Sequence, residues 1–218
     1  MKMLLKLDLH VHTNHSPDSS TDRNIVAQIV KARGLDGIAV TEHDVASSFE
    51  SDEILVVPGI EVSSRQGHIL ALGPCEAVPK GLSAERAIEL LRAQGCVIVV
   101  PHPYDRSSPS IDPLHLGVSV DAIETVNSSS IPFESSKRKA ENAAKVLSLS
   151  MVAGSDSHIP STIGDAYTLV EVSSSSVGSV LEAVRAGRTT PYGSPTSIKN
   201  KILSFKTSFT SRCKFFSF

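Results

Sequence analysis

Short runs of consecutive or alternating apolar residues take turns along the chain with longer stretches in which apolar residues return every three or four positions. The first kind reads as strand, the second as amphipathic helix. Leu4 to Val11 predicts a strand, and Thr21 and Asp22 offer caps for a helix over Arg23 to Arg33 with Ile25, Ile29 and Val30 on one face, closed by Gly34. Gly37 to Thr41 predicts a second strand, Ile54 to Val62 a third interrupted by Pro58 and Gly59, and His68 to Leu72 a short fourth. A helix is expected from Ser83 to Gln94, stopped by Gly95, before the unbroken apolar strand Cys96 to Val100. Asp121 to Val126, Met151 to Ala153 and Tyr167 to Val172 add strands; Glu134 to Leu149 and Val177 to Ala186 add helices, the last closed by Gly187.

This alternation predicts an α/β domain on a mainly parallel sheet, and polar clusters at the strand C-termini point to a (β/α) barrel. The 218 residues fall short of the roughly 250 of a full eight-unit barrel, so a trimmed or distorted one is expected. Residues 1–193 form the expected barrel. Residues 194–218 differ: Lys199, Lys201, Lys206, Arg212 and Lys214 stand there with Phe205, Phe209, Phe215, Phe216 and Phe218 and no acidic residue. The plain expectation is a last helix with a frayed end; the sharper one is a basic aromatic patch for nucleic acid or for weak contact with an anionic surface.

Apolar residues at 40% and charged residues at 20% suit a globular protein, and a formal charge of −2 removes the large basic excess of a dedicated nucleic-acid binder. No stretch approaches the roughly 18 apolar residues of a spanning helix. The N-terminal apolar run is short and leads straight into charged residues, as a first strand would. Three cysteines, Cys75, Cys96 and Cys213, lie far apart with no CxxC pair, which fits a reducing, cytoplasmic setting.

Chemistry collects at the strand ends. His10 and His12 are two residues apart at the end of the first strand and so share a face, with Asp8 expected on that face too, placed to orient them. Glu42, His43 and Asp44 end the second strand, Glu61 lies in the third, His68 and His102 border loops, and Asp156 and His158 end a late strand. Each alone reads as a loop residue with a satisfied side chain, but six of the eight histidines collect at strand ends and beside them. Neutral imidazole together with carboxylate is a donor set for zinc, manganese or iron. Arg65, Lys137 and Arg138 are candidate cations for a substrate phosphate on the same face, Lys137 and Arg138 near a helix N-terminus.

The series DLHVHT, AVTEHD, PGIEV, GHILALG, PHP and GSDSH, in this order, resembles the motif series of the PHP family, named for polymerase and histidinol phosphatase members; the likeness runs from about Leu7 to Tyr192. The resemblance implies a distorted barrel of seven β/α units, with two or three divalent ions at the strand C-termini and phosphoester hydrolysis as the reaction. It implies a first ion on His10, His12, Glu61 and Asp156, a second on Glu61, His68 and His102, and a third on Asp18, His43 and His158. Asp156 and His158 are the residues able to move protons. Pro17 sets Asp18 one place further from His12 than in the usual pattern, which leaves His15 as a substitute, though Asp18 is preferred. Expected substrates are nucleotides, the 5′ ends of oligonucleotides as for an exonuclease, or a small phosphomonoester such as histidinol phosphate. Relatives acting on nucleotides often carry an insertion after the histidine matched by His68, and the short distance from His68 to His102 implies an open site. The rival readings are a noncatalytic RNA-binding barrel and an amidohydrolase; the first would lack the ligands, and the second would want a bridging lysine absent here.

Overall fold

The computed structural model describes residues 2–215, with side chains to residue 208. Nine strands form one sheet in the order β7-β6-β5-β4-β3-β2-β1-β8-β9. They are β1 (Met3–Val11), β2 (Gly37–Val40), β3 (Leu55–Ser63), β4 (His68–Leu72), β5 (Val97–Val100), β6 (Ala122–Asn127), β7 (Ser150–Gly154), β8 (Ala166–Val172) and β9 (Thr189–Gly193). The helices are α1 (Arg23–Ala32), α2 (Ala84–Ala93), α3 (Phe133–Leu147), α4 (Val177–Arg185) and α5 (Ile198–Phe215). Capping follows the sequence: Asp22 accepts from Asn24 N, Ser83 from Arg86 N and Ser176 from Ser179 N, each meeting a backbone donor that the first turn leaves unpaired.

The sheet curls into a nearly closed barrel. At the seam, buried Thr168 of β8 bonds both backbone groups of Ala153 in β7, its hydroxyl lying 2.8 Å from the Ala153 nitrogen and 2.9 Å from the oxygen. Leu5, Leu7, Leu9, Val57, Leu70, Val99 and Val152 fill the interior, and α4 closes one end with Val180, Leu181 and Val184. Glu61 and the histidines around it gather at the other end.

The sheet is less parallel than its sequence pattern implies. β3–β4, β4–β5, β1–β8 and β8–β9 pair antiparallel, against parallel pairing for β1–β2, β2–β3, β5–β6 and β6–β7. The cause is connection length: residues 64–67 join β3 to β4, which permits a hairpin and no crossover helix. His68 thus stands at the start of its strand and still reaches the face where β3 ends. Pro58 does not interrupt β3, where it pairs with Val40. β9, unanticipated from the sequence, closes a hairpin on β8.

Cys75 and Cys96 form a disulfide between the loop after β4 and the residue before β5, a pairing the sequence spacing did not disclose. Among the described residues no helix is long and apolar enough to cross a membrane. The tail is helix from Ile198, and Ser197 caps it by accepting from Asn200 N. The side chains of Phe209, Arg212, Lys214 and Phe215, and all of Phe216 and Phe218, lie outside the described residues.

Candidate metal centre

Two bulges aim the site. Between Asp8 and Val11, β1 holds three steps against the two from Ile38 to Val40 on β2, so one extra residue breaks the alternation. Leu5, Leu7 and Leu9 face the barrel interior below the bulge, and His10 faces the cluster above it, while Val11 packs outward with Val26 and Val40. Asp8 therefore lies on the face opposite Leu7 and Leu9, which corrects the expectation that it shares a face with His10. Its carboxylate accepts from Ser155 N and Oγ and from Gly164 N, tying β1 to the loop that carries Asp156; burial pushes its pKa up to about 6 against these hydrogen bonds. On β6 a second bulge between Glu124 and Val126 does the same for Asn127.

Glu61 is the hub. Its Oε2 lies 3.4 Å from His10 Nε2, 3.3 Å from His12 Nε2 and 3.1 Å from His43 Nδ1. Its Oε1 lies 3.0 Å from His68 Nδ1 and 2.9 Å from His102 Nε2. Asp156 Oδ1 faces the same point, 3.6 Å from His10 Nε2 and 3.5 Å from His12 Nε2, with His158 Nδ1 at 3.7 Å. Asp18, buried despite Pro17, puts Oδ2 3.3 Å from His43 Nε2 and 3.5 Å from His158 Nε2. The nine positions selected from the sequence thus come together in space. His15 does not join them: it is exposed, with Nδ1 3.4 Å from Ser47 Oγ.

Several buried atoms here have no hydrogen-bond partner: His10 Nε2, His12 Nε2, His43 Nδ1, His68 Nδ1, His102 Nδ1 and Glu61 Oε2. Buried polar atoms are rarely left so, and four sets of three side chains here bring their ligand atoms within 4.8 Å of one another. The sets are His10, His12 and Glu61; His43, Glu61 and His68; His10, His102 and Asp156; and His12, His43 and His158. The local field asks for positive charge: burial alone would lower the His12 pKa, but the carboxylates of Asp156 and Glu61 facing its ring push it up to about 10. Burial would likewise raise Glu61, yet the surrounding histidines, His68 first, hold it well below the usual carboxylate range. A mixed imidazole and carboxylate set that holds lone pairs inward in a cation-favouring field fits divalent ions of the zinc, manganese and iron kind. Two members carry strained backbone, with φ of 31° at His102 and 55° at Asp156.

Sequence reasoning missed the carboxylate that orients this set. Glu124 Oε1 lies 3.1 Å from His10 Nδ1, and its Oε2 accepts from His102 N and Asn127 Nδ2 at 2.7 and 2.9 Å. A carboxylate on the far nitrogen fixes the tautomer and turns Nε2 inward. The available signal was an acid inside the otherwise apolar run AIETV. Gly154 makes the arrangement possible, because a Cβ there would stand 2.3 Å from His10 Cβ and 2.7 Å from Glu124 Oε1. Glu42 also has a supporting place: it accepts from Thr13 N at 2.9 Å, from the Thr13 hydroxyl and from Arg23 at 3.1 Å, fixing the loop behind His12. Asp44 turns to Ser63 N and Oγ instead.

Of the candidate cations, Lys137 is half-buried and lines a narrow cleft with His102, Glu124 and Asn127, without an ion pair among the described residues. Arg138 is exposed. Arg65 is exposed and donates through Nε to the Gly81 carbonyl at 2.7 Å.

Residues 134–189 match the family model described as PHP-associated. An uncharacterized protein of Methanocaldococcus jannaschii is 29% identical over 140 residues, 56% of this chain and 82% of that one. A two-domain protein of Bacteroides vulgatus containing a predicted PHP-like metal-dependent phosphoesterase superposes with a TM-score of 0.67 at 21% identity, over 95% of this chain and 70% of that one. The lesion-specific endonuclease PfuEndoQ of Pyrococcus furiosus gives 0.63 at 18% identity, over 87% of this chain and 58% of its own length. At these identities the two structural likenesses concern the fold, which is that of a PHP-like metal-dependent phosphoesterase.

Proposed function

We propose that this chain is a member of the PHP family and hydrolyses phosphoesters with two or three divalent ions, of manganese, zinc or iron, held by the Glu61 cluster. The observation that carries this reading is the convergence of five imidazoles on one buried carboxylate, with Nε2 of His10 and His12 and Nδ1 of His43 and His68 left without hydrogen-bond partners. His10, His12, Glu61 and Asp156 would hold one ion, Glu61, His68 and His102 a second, and Asp18, His43 and His158 a third. Such ions, when bound, lower the pKa of water toward neutrality and neutralise charge on phosphoryl oxygens.

The protein's own groups then do the positioning. Glu124 fixes the His10 ring and the His102 backbone, and Asn127 Nδ2 reaches Asp156 Oδ2 at 3.4 Å. Asp156 and His158 would be the groups to move protons. Lys137, in the cleft beside His102, would be the cation to meet a phosphate, with Arg138 and Arg65 as outer candidates.

Between His68 and His102 stand the rest of β4, α2 and β5 and no inserted subdomain, which supports an open site. Nucleotides and the 5′ ends of oligonucleotides, as in an exonuclease, fit that opening, as does a small phosphomonoester such as histidinol phosphate. A noncatalytic RNA-binding role is disfavoured by the full set of ionisable donors turned inward. Purified protein supplied with manganese and offered p-nitrophenyl phosphate, histidinol phosphate, nucleoside 3′,5′-bisphosphates and 5′-labelled oligonucleotides tests the proposal: release of phosphate or nucleotide from one class supports it, and inertness toward all of them sinks it.

A further inference from the structure

Helix α5 lies on the barrel the wrong way round for a helix that belongs only to a core. Among the described side chains of this helix, the half-buried ones are Asn200, Lys201, Ser204, Thr207 and Ser208, which recur with the helical turn and are all polar. Its exposed apolar residues are Ile198, Ile202, Leu203 and Phe205, with relative exposures of 79, 53, 48 and 77%. The attachment is polar too. Lys201 Nζ donates to the carbonyls of Ser129 and Ser130 at 3.0 and 3.1 Å, and Ser208 Oγ donates to the Asp18 carbonyl at 3.0 Å. The helix therefore bridges the loops after β6 and β1, at the metal-bearing end of the barrel, and turns its apolar strip to the outside. Ile131, next to the Lys201 anchor, is 47% exposed and adds to the apolar surface at this end.

We propose that the outward face of α5 docks on an anionic lipid bilayer. Ile198, Ile202 and Phe205 recur at spacings of four and three, and in the sequence Phe209 extends the series. Such a strip gains by leaving water. Exposed Lys199 and Lys206 lie together along one side of it, and residues 194–218 carry five basic residues, of which Lys201 is the barrel anchor, and no acidic one. That charge pattern complements a negative lipid surface and matches helices that lie in the plane of an interface. A second copy of the same helix is a poor occupant, because its strip would bring only like charges to the flanks, where paired helices place opposite ones.

The test is flotation of the full chain with vesicles of phosphatidylcholine alone or with about one third phosphatidylglycerol. The expected result is binding to the anionic vesicles only, reversed by high salt. Lys199→Ala should weaken it about fivefold, and Phe205→Asp should abolish it while leaving circular dichroism and phosphoester hydrolysis unchanged. Should Phe205→Asp disturb folding, Phe205→Ser provides the milder variant, with the same expected loss. Failure of the wild type to float with anionic vesicles overturns the proposal, as does wild-type flotation by Phe205→Asp. A dimer in sedimentation, or retention of a single-stranded oligonucleotide, that Phe205→Asp abolishes while vesicle binding survives would assign the face to that partner instead and equally overturn it.

Discussion

His10 Nδ1 lies 3.1 Å from Glu124 Oε1, and the opposite nitrogen of the same ring, Nε2, lies 3.4 Å from Glu61 Oε2. One imidazole thus links an orienting carboxylate on β6 to the hub carboxylate on β3. Glu124 also accepts from His102 N, so it sets two donors of the cluster at once.

Replacing Glu124 with Gln should therefore keep the fold and weaken ion binding and hydrolysis together, by about 10- to 100-fold. Titration of the metal-stripped protein with manganese, read beside the hydrolysis rate, checks this. Unchanged affinity would remove Glu124 from the account.

Gly154→Ala puts a methyl group into the His10 backbone and the Glu124 carboxylate. The expected cost is about 2–3 kcal/mol, a fall of several degrees in Tm, together with loss of bound metal. Ala at Gly178, where nothing lies within 4 Å of the added Cβ, is the control and should cost none of this.

Chelation should destabilise the wild type. Ions that bind the folded cluster and not the unfolded chain add about 3 kcal/mol at a hundredfold excess over Kd, or roughly 5–10 °C in Tm for a chain of this size. Differential scanning fluorimetry with dipicolinate, then with manganese restored, reads both directions.

Lys137→Ala tests the phosphate contact. With no ion pair to lose among the described residues, its removal should lower kcat/KM by about 10- to 100-fold, as expected for a charge-assisted hydrogen bond, and leave metal content unchanged. Arg at the same position should restore part of the rate. A metal deficit in Lys137→Ala would show a structural role instead.

Much of this centre was legible because strand ends advertise it. His10 and His12 sit two apart at the end of an apolar run, and Asp156 and His158 repeat the spacing, so alternation alone puts each pair on one side. The misplacement of Asp8 had a specific cause: a bulge leaves no mark in a hydrophobic pattern, yet it reverses every face beyond it. Glu124 escaped notice because AIETVN reads as an ordinary strand, and its partners His10 and His102 belong to other elements. The antiparallel turns of the sheet follow from loop lengths that only the pairing made plain. α5 was foreseen as a helix, but its polar face was the one that docked, against the rule that apolar faces turn inward.

The most direct test of the central claim is hydrolysis of p-nitrophenyl phosphate in manganese by the wild type and by the double variant His10→Ala, His12→Ala, with bound metal counted on the same samples. The account predicts more than one divalent ion per wild-type chain, with metal and turnover both lost in a folded double variant. Full turnover by that variant, or a wild type that hydrolyses with a single ion or none, would contradict it.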